Sequence, residues 1–71
     1  MKENANLDHD VNRRLRRLVE ARGMSVEALS ARSGIRRDHL RRALREKRPL
    51  YADELLPLAR ALGVMAETLL G

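Results

Sequence analysis

Three glycines, Gly23, Gly34 and Gly63, stand where runs of apolar residues at helical spacing break off. Glycine ends a helix readily because it adopts the left-handed conformation in which the last carbonyls are satisfied. The stretches between these stops are short, so the chain must fold as several short helices. The period-two alternation of a half-buried strand is absent. At 71 residues there is room for one domain. A domain of this size buries only about 60–65% of the surface its unfolded chain exposes, so its stability margin is thin. Phe and Trp are absent and Tyr51 is the lone aromatic, so Leu and Val must fill the core.

The expected organisation is a tail over residues 1–9 followed by one all-α domain over 10–71, a bundle of about five short helices. The first helix runs from Asp8 or Asp10 to Arg22. Val11, Leu15, Leu18, Val19 and Arg22 lie on one stripe, with the two aspartates as candidate caps at the positive end of the helix dipole. The second spans about Ser25 to Ser33, with Ser25 as N-cap, Glu27 in the first turn and Leu29 facing inward. The third spans about Arg36 to Arg45, with Leu40, Ala43 and Leu44 on its inner arc. The fourth covers about Ala52 to Leu62, with Leu55, Leu58, Ala59 and Leu62 as its stripe. Pro57 requires this helix to start near Asp53 or to kink, because proline is cheap only in a first turn. A final turn spans Ala66 to Leu70.

Charge is distributed unevenly. The formal net charge is +5, but residues 13–48 hold twelve Arg and one Lys against four acids, which sums to +9. The segments on either side each sum to −2. The stretch GIRRDHLRRALREKR, residues 34–48, concentrates six of those arginines and the lysine. On the third helix Arg37, Asp38, Arg41, Arg42 and Arg45 fill the arc opposite Leu40. Like charges at i, i+4 cost a few tenths of a kcal/mol each, so this face does nothing for folding. A face kept at such a cost points to a partner that neutralises it, and a one-sided basic patch is the footprint of a polyanion binder.

Other classes find little support. Without cysteine there is neither a disulfide nor a thiolate zinc site, which suits a reducing compartment. No apolar run reaches the roughly 18 residues of a membrane span. The polar, acidic start MKENANLDHD is unlike a signal peptide. A cytoplasmic protein is expected, and the heavy use of Arg, Ala and Leu suits a GC-rich bacterial genome. His9 and His39 are too far apart and too poorly accompanied for a metal site. Asp53 and Glu54 match a helix dipole, with no second acid to suggest acid–base catalysis. There is no glycine-rich phosphate loop and no nucleophile–base pair. No enzyme, cofactor, metal or small-molecule ligand is expected.

Two helices joined at Gly34, the second exposing long polar side chains, make a helix-turn-helix arrangement. MSVEALSARSGI resembles the Leu-Thr-Gln-Glu-Glu-Leu-Ala stretch of the phage lambda and 434 repressor and Cro family, also called the XRE family. LLPLARALGVMAETLLG is similar to that family's Leu-x-x-Ile-Ala-x-Ala-Leu-Gly-Val ending and the Leu pair that follows it. The resemblance covers about residues 11–70. It implies a transcriptional regulator, read here as a repressor, whose third helix enters the DNA major groove. Carried over position by position, it implies that Arg37, Asp38, Arg41 and Arg42 contact bases. Arginine suits guanine O6 and N7, and Asp38 suits the cytosine amino group, so a G/C-rich half-site is expected. Ser25, Arg36, Arg45, Lys47, Arg48 and Arg14 are the expected phosphate contacts.

A single small module reaches specific affinity with difficulty. A homodimer on a palindromic operator is therefore expected, with Val64, Met65, Leu69 and Leu70 as its interface. Five positions depart from the family pattern. Val26 replaces a phosphate-bridging Gln, and Arg36 replaces a capping Ser or Thr. Val19 and Leu44 replace a buried Arg–Glu pair, and Thr68 replaces an aromatic. The alternatives are a protein-interaction module, either an antitoxin or a docking domain for an acidic partner, and a nonspecific DNA binder.

Overall fold

The computed structural model describes residues 6–71. Its helices are α1 (His9–Ala21), α2 (Val26–Ser33), α3 (Arg37–Leu44), α4 (Ala52–Leu62) and α5 (Ala66–Leu70). Asp8 caps α1, its carboxylate accepting from the Asp10 amide at 3.1 Å. α4 begins at Ala52, so Pro57 is its sixth residue and removes one rung of the hydrogen-bond ladder. The helices pack in a closed circuit, with α1 against α3 and α5, α2 against α3 and α4, and α4 against α5.

The core joins Val11, Leu15 and Val19 of α1 to Leu29, Leu40, Ala43, Leu58, Ala59, Leu62 and Leu69. Leu18, Leu44 and Leu55 pack against it half-buried. Arg22 departs from the expected stripe. It lies just past the end of α1 as the C-cap and is exposed, because the chain turns away before its side chain can reach the core. Leu50, in the loop before α4, is 1% exposed and completes the core.

The sequence pattern gave no sign of Asn12, which is 0% exposed. Its Nδ2 donates to the Ala43 carbonyl at 2.8 Å and to the Arg48 carbonyl at 3.1 Å. One α1 side chain thereby holds both the end of α3 and the far side of the loop that follows. Among the described residues its Oδ1 is a buried oxygen without a partner. The amide is kept in the core by its donors alone.

Two further contacts draw the N-terminal segment onto the same loop. The Leu7 amide donates to the Leu50 carbonyl at 2.7 Å, and Asn6 forms an isolated antiparallel bridge with Tyr51. The tail expected over residues 1–9 is therefore docked from residue 6 onward, and residues 1–5 lie outside the described residues.

α3 ends in a left-handed residue that is not glycine. Glu46 has φ +59°, its amide donates to the Ala43 carbonyl, and the Lys47 amide donates to the Arg42 carbonyl at 2.7 Å. This is the paired closure that Gly23 supplies at the end of α1, where Gly23 and Met24 donate to the Glu20 and Val19 carbonyls. A side chain in this region costs on the order of 1–2 kcal/mol. The Glu46 carboxylate offsets part of that by facing Arg13 Nε at 3.7 Å and His9 Nδ1 at 3.6 Å on α1.

Replacing Asn12 with Ala should lower the unfolding free energy by about 1–3 kcal/mol in urea titration, the cost of stranding buried carbonyl groups. Asn12→Asp should cost more at pH 7 than at pH 4. A carboxylate facing two carbonyl oxygens raises its own folded pKa above the unfolded value of about 3.9, so the penalty appears as pH rises through that value. Equal costs at the two pH values would show that residue 12 does not face those carbonyls.

Candidate nucleic-acid interface

The interface is built on the α2–α3 corner. Ser25 caps α2, its Oγ accepting from the Ala28 amide at 3.0 Å. Gly34 ends α2 with φ +77°, a left-handed backbone that makes the tight turn possible for a residue without Cβ. The turn is then pinned from within. The Ser30 hydroxyl donates to the Ile35 carbonyl at 2.6 Å, and the Ile35 amide donates to Ser33 Oγ at 3.2 Å. Arg36 occupies the N-cap of α3 in an extended conformation and makes no side-chain cap bond. A polar hollow of about 270 Å³ lined by Ser30, Arg36, Arg37 and Asp38 lies at the start of α3.

α3 divides sharply in two. Leu40 and Ala43 are fully buried, while Arg37, Asp38, Arg41 and Arg42 are exposed. The exposed face is not uniformly cationic. Glu27 of α2 reaches across to Arg41 at 3.3 Å and to Arg37 at 4.0 Å, and Asp38 lies 3.8 Å from Arg41. Among the described residues, no ion pair engages Arg36, Arg42, Arg45 or Lys47, and all four are exposed. No group of three or more His, Cys, Asp or Glu side chains among the described residues is placed to hold a metal. No described helix is long and apolar enough to cross a membrane.

A family model, the Cro/C1-type helix-turn-helix DNA-binding domain, matches residues 14–71, most of the chain and the whole of this corner. The chain belongs to this family. Among solved structures, the Cro/C1-type domain is similar to the restriction-modification controller protein C.AhdI from Aeromonas hydrophila. The two share 33% sequence identity at a TM-score of 0.78, over 84% of this chain and 91% of that one. No curated protein matches the sequence. A Cro/C1-type protein of this kind is a DNA-binding transcription regulator.

The corner brings together most of the expected site residues of this Cro/C1-type domain. Arg36, Arg37, Asp38, Arg41 and Arg42 line one face of α3 and its N-terminal approach, with Ser25 at the neighbouring helix start and Arg45 and Lys47 just beyond α3. Three expected residues are committed elsewhere. Arg48 turns inward, where its Nη1 meets both carboxylate oxygens of Glu54 at 3.2 and 3.3 Å and its guanidinium lies 5.0 Å from the Tyr51 ring centre. Both side chains of that ion pair are less than a fifth exposed, so Arg48 is a loop anchor rather than a free phosphate contact.

Arg14 donates to the Leu70 carbonyl at 3.1 Å and approaches the Leu69 carbonyl at 3.5 Å. It caps the negative end of α5 instead of facing outward. Leu69 is 0% exposed within the monomer and offers no side-chain surface to a partner.

Glu54 does more than match the dipole of α4. It also accepts from the Tyr51 amide at 3.0 Å, so one carboxylate holds both Arg48 and the start of α4. The signal for this was present: an acid three residues after the position that precedes the helix is half of a capping box.

Arg48→Ala should therefore lower stability by about 1–3 kcal/mol, since it strands a largely buried carboxylate. Lys47→Ala should leave stability within about 0.5 kcal/mol and reduce the slope of log affinity against log salt on duplex DNA by about 1. Chemical denaturation and salt-dependent binding isotherms of the two variants check both. The opposite pattern would exchange the two assignments.

Proposed function

We propose that the protein is a sequence-specific transcriptional repressor that binds a palindromic operator as a homodimer, each copy placing α3 in a major groove. The observation that carries this is the division of α3. Leu40 and Ala43 anchor it in the core while Arg37, Asp38, Arg41 and Arg42 project together from its outer side. Side chains near the N-terminus of a recognition helix are the ones that reach base edges. Arg36 before α3 and Arg45 and Lys47 after it bracket this surface with cations for phosphates. The similarity to a controller protein supports a regulatory role.

The homodimer draws support from the other end of the molecule. Among the described residues, the exposed large apolar side chains are Leu56 (51%), Met65 (70%) and Leu70 (48%), all on α4, α5 or the turn between them. Val64 is half-buried beside them in sequence. A second copy that covers these side chains removes them from water and spaces two recognition helices for half-sites about one turn of DNA apart.

Selection of bound sites from a randomised duplex pool at about 0.15 M salt, which suppresses phosphate-only binding, tests the reading directly. The expected product is an inverted repeat rich in G/C. Recovery without base preference would remove the sequence-specific reading, and a single half-site would remove the dimer. On the selected site, Arg42→Ala should weaken binding by roughly 5- to 150-fold and relax preference at one base pair. Pairing Met65→Lys with Leu70→Lys should abolish self-association in sedimentation equilibrium. It should also weaken binding to the full repeat at least about tenfold while sparing an isolated half-site.

A further inference from the structure

The carboxylate of Glu27 is the feature of this surface that DNA attraction alone does not explain. It stands at the start of α2, on the side that would face a polyanion, and it is exposed. One of its oxygens, Oε2, lies 3.3 Å from Arg41 Nη2 and 4.0 Å from Arg37 Nη1. Arg37 and Arg41 sit one turn apart on α3, so Glu27 lies between two like charges that otherwise repel. Asp38 approaches the other terminal nitrogen of Arg41, Nη1, at 3.8 Å. The Arg41 guanidinium is thus held between two carboxylates from two different helices. Exposed pairs of this kind add little to folding stability, and their effect lies in where they hold the guanidinium.

We infer that Glu27 is a specificity-determining residue that positions Arg41 and Arg37 and suppresses sequence-independent binding, an inference that rests on the groove reading of α3. The physical reason is a difference between the two kinds of DNA contact. A guanine edge is neutral, so Arg41 can donate to it while keeping its carboxylate neighbours. A phosphate is anionic and competes with them. To reach a phosphate, Arg41 must leave Glu27, whose carboxylate then faces the polyanion with only the more distant Arg37 beside it. Specificity gained by penalising the wrong complex is as effective as specificity gained by improving the right one. Arg42, which no carboxylate restrains among the described residues, gives the contrast on the same helix: no ion pair has to be broken for it to turn to a phosphate.

The test compares wild type, Glu27→Gln, Arg41→Gln and the double variant. Each is titrated against the duplex recovered from the randomised pool and against a scrambled duplex of the same length, between 50 and 300 mM salt, roughly the range over which phosphate contacts are lost. Glu27→Gln should tighten binding to the scrambled duplex about tenfold and steepen its salt slope by about 1. It should tighten binding to the selected duplex by no more than about twofold, so the specificity ratio falls roughly fivefold. In the Arg41→Gln background the same change should leave the ratio nearly constant, since the restrained guanidinium is gone.

Equal tightening on both duplexes, with the ratio unchanged, would overturn the inference and leave Glu27 as bulk negative charge. Failure of wild type itself to distinguish the duplexes would instead remove the groove reading, and with it any specificity for Glu27 to determine. Helical circular dichroism confirms that each variant is folded, and Glu27→Ala, which also lacks the carboxylate, should shift the ratio in the same direction.

Discussion

The side-chain amide of Asn12 meets two carbonyls that belong to different parts of the chain, one at the end of α3 and one beyond the loop that follows it. Both donor hydrogens are used, and the residue is sealed from water. Leu40 and Ala43 set how deep α3 sits, but apolar packing is tolerant of sliding and rotation. A hydrogen bond with two fixed acceptors is not. The amide therefore fixes where α3 stops and where the chain goes next, and Arg45 and Lys47 emerge between the two points it holds. Glu46 reinforces the same turn from outside through Arg13 and His9, and the Leu7 amide reinforces it from the N-terminal side. The exposed face of α3 is thus fixed in part from α1, a helix on the other side of the core from that face.

The cations between Arg36 and Arg48, with Arg14 of α1, separate into three uses. Arg14 and Arg48 work inside the fold, one at the end of α5 and one against Glu54 and Tyr51. Arg37 and Arg41 are exposed but restrained by carboxylates. Arg36, Arg42, Arg45 and Lys47 are exposed without such restraint. A formal charge sum treats all of these alike. The three sets differ in how freely their charge can meet a partner, the third most and the first least.

The helices and most of the core were legible because glycine stops and apolar spacing are local signals. Leu15, Leu29, Leu40 and Leu58 could hardly be placed anywhere else. Asn12 was not legible from residue type, although its angle was: on a helical projection it falls about 20° beyond Val19, at the edge of the buried stripe. Arg22 shows the converse, a residue at the right angle that lies past the end of the helix. The outward arc of α3 followed from the same periodicity. Which arginines of the basic segment turn inward did not, because that depends on partners far away in sequence, such as the carbonyl of Leu70 for Arg14. Leu69 was misplaced for the same reason. A five-residue helix has no periodicity of its own, and only the packing of α1 and α4 around it decides which Leu is inside.

A core made of aliphatic side chains leaves this protein optically almost silent, with one exception in a telling place. Tyr51 is the chain's single strong near-ultraviolet chromophore. Its ring lies beside the Arg48 guanidinium, its backbone pairs with Asn6, and its amide is held by Glu54. Its emission is therefore an unlabelled reporter on the loop between α3 and α4, against a background free of tryptophan.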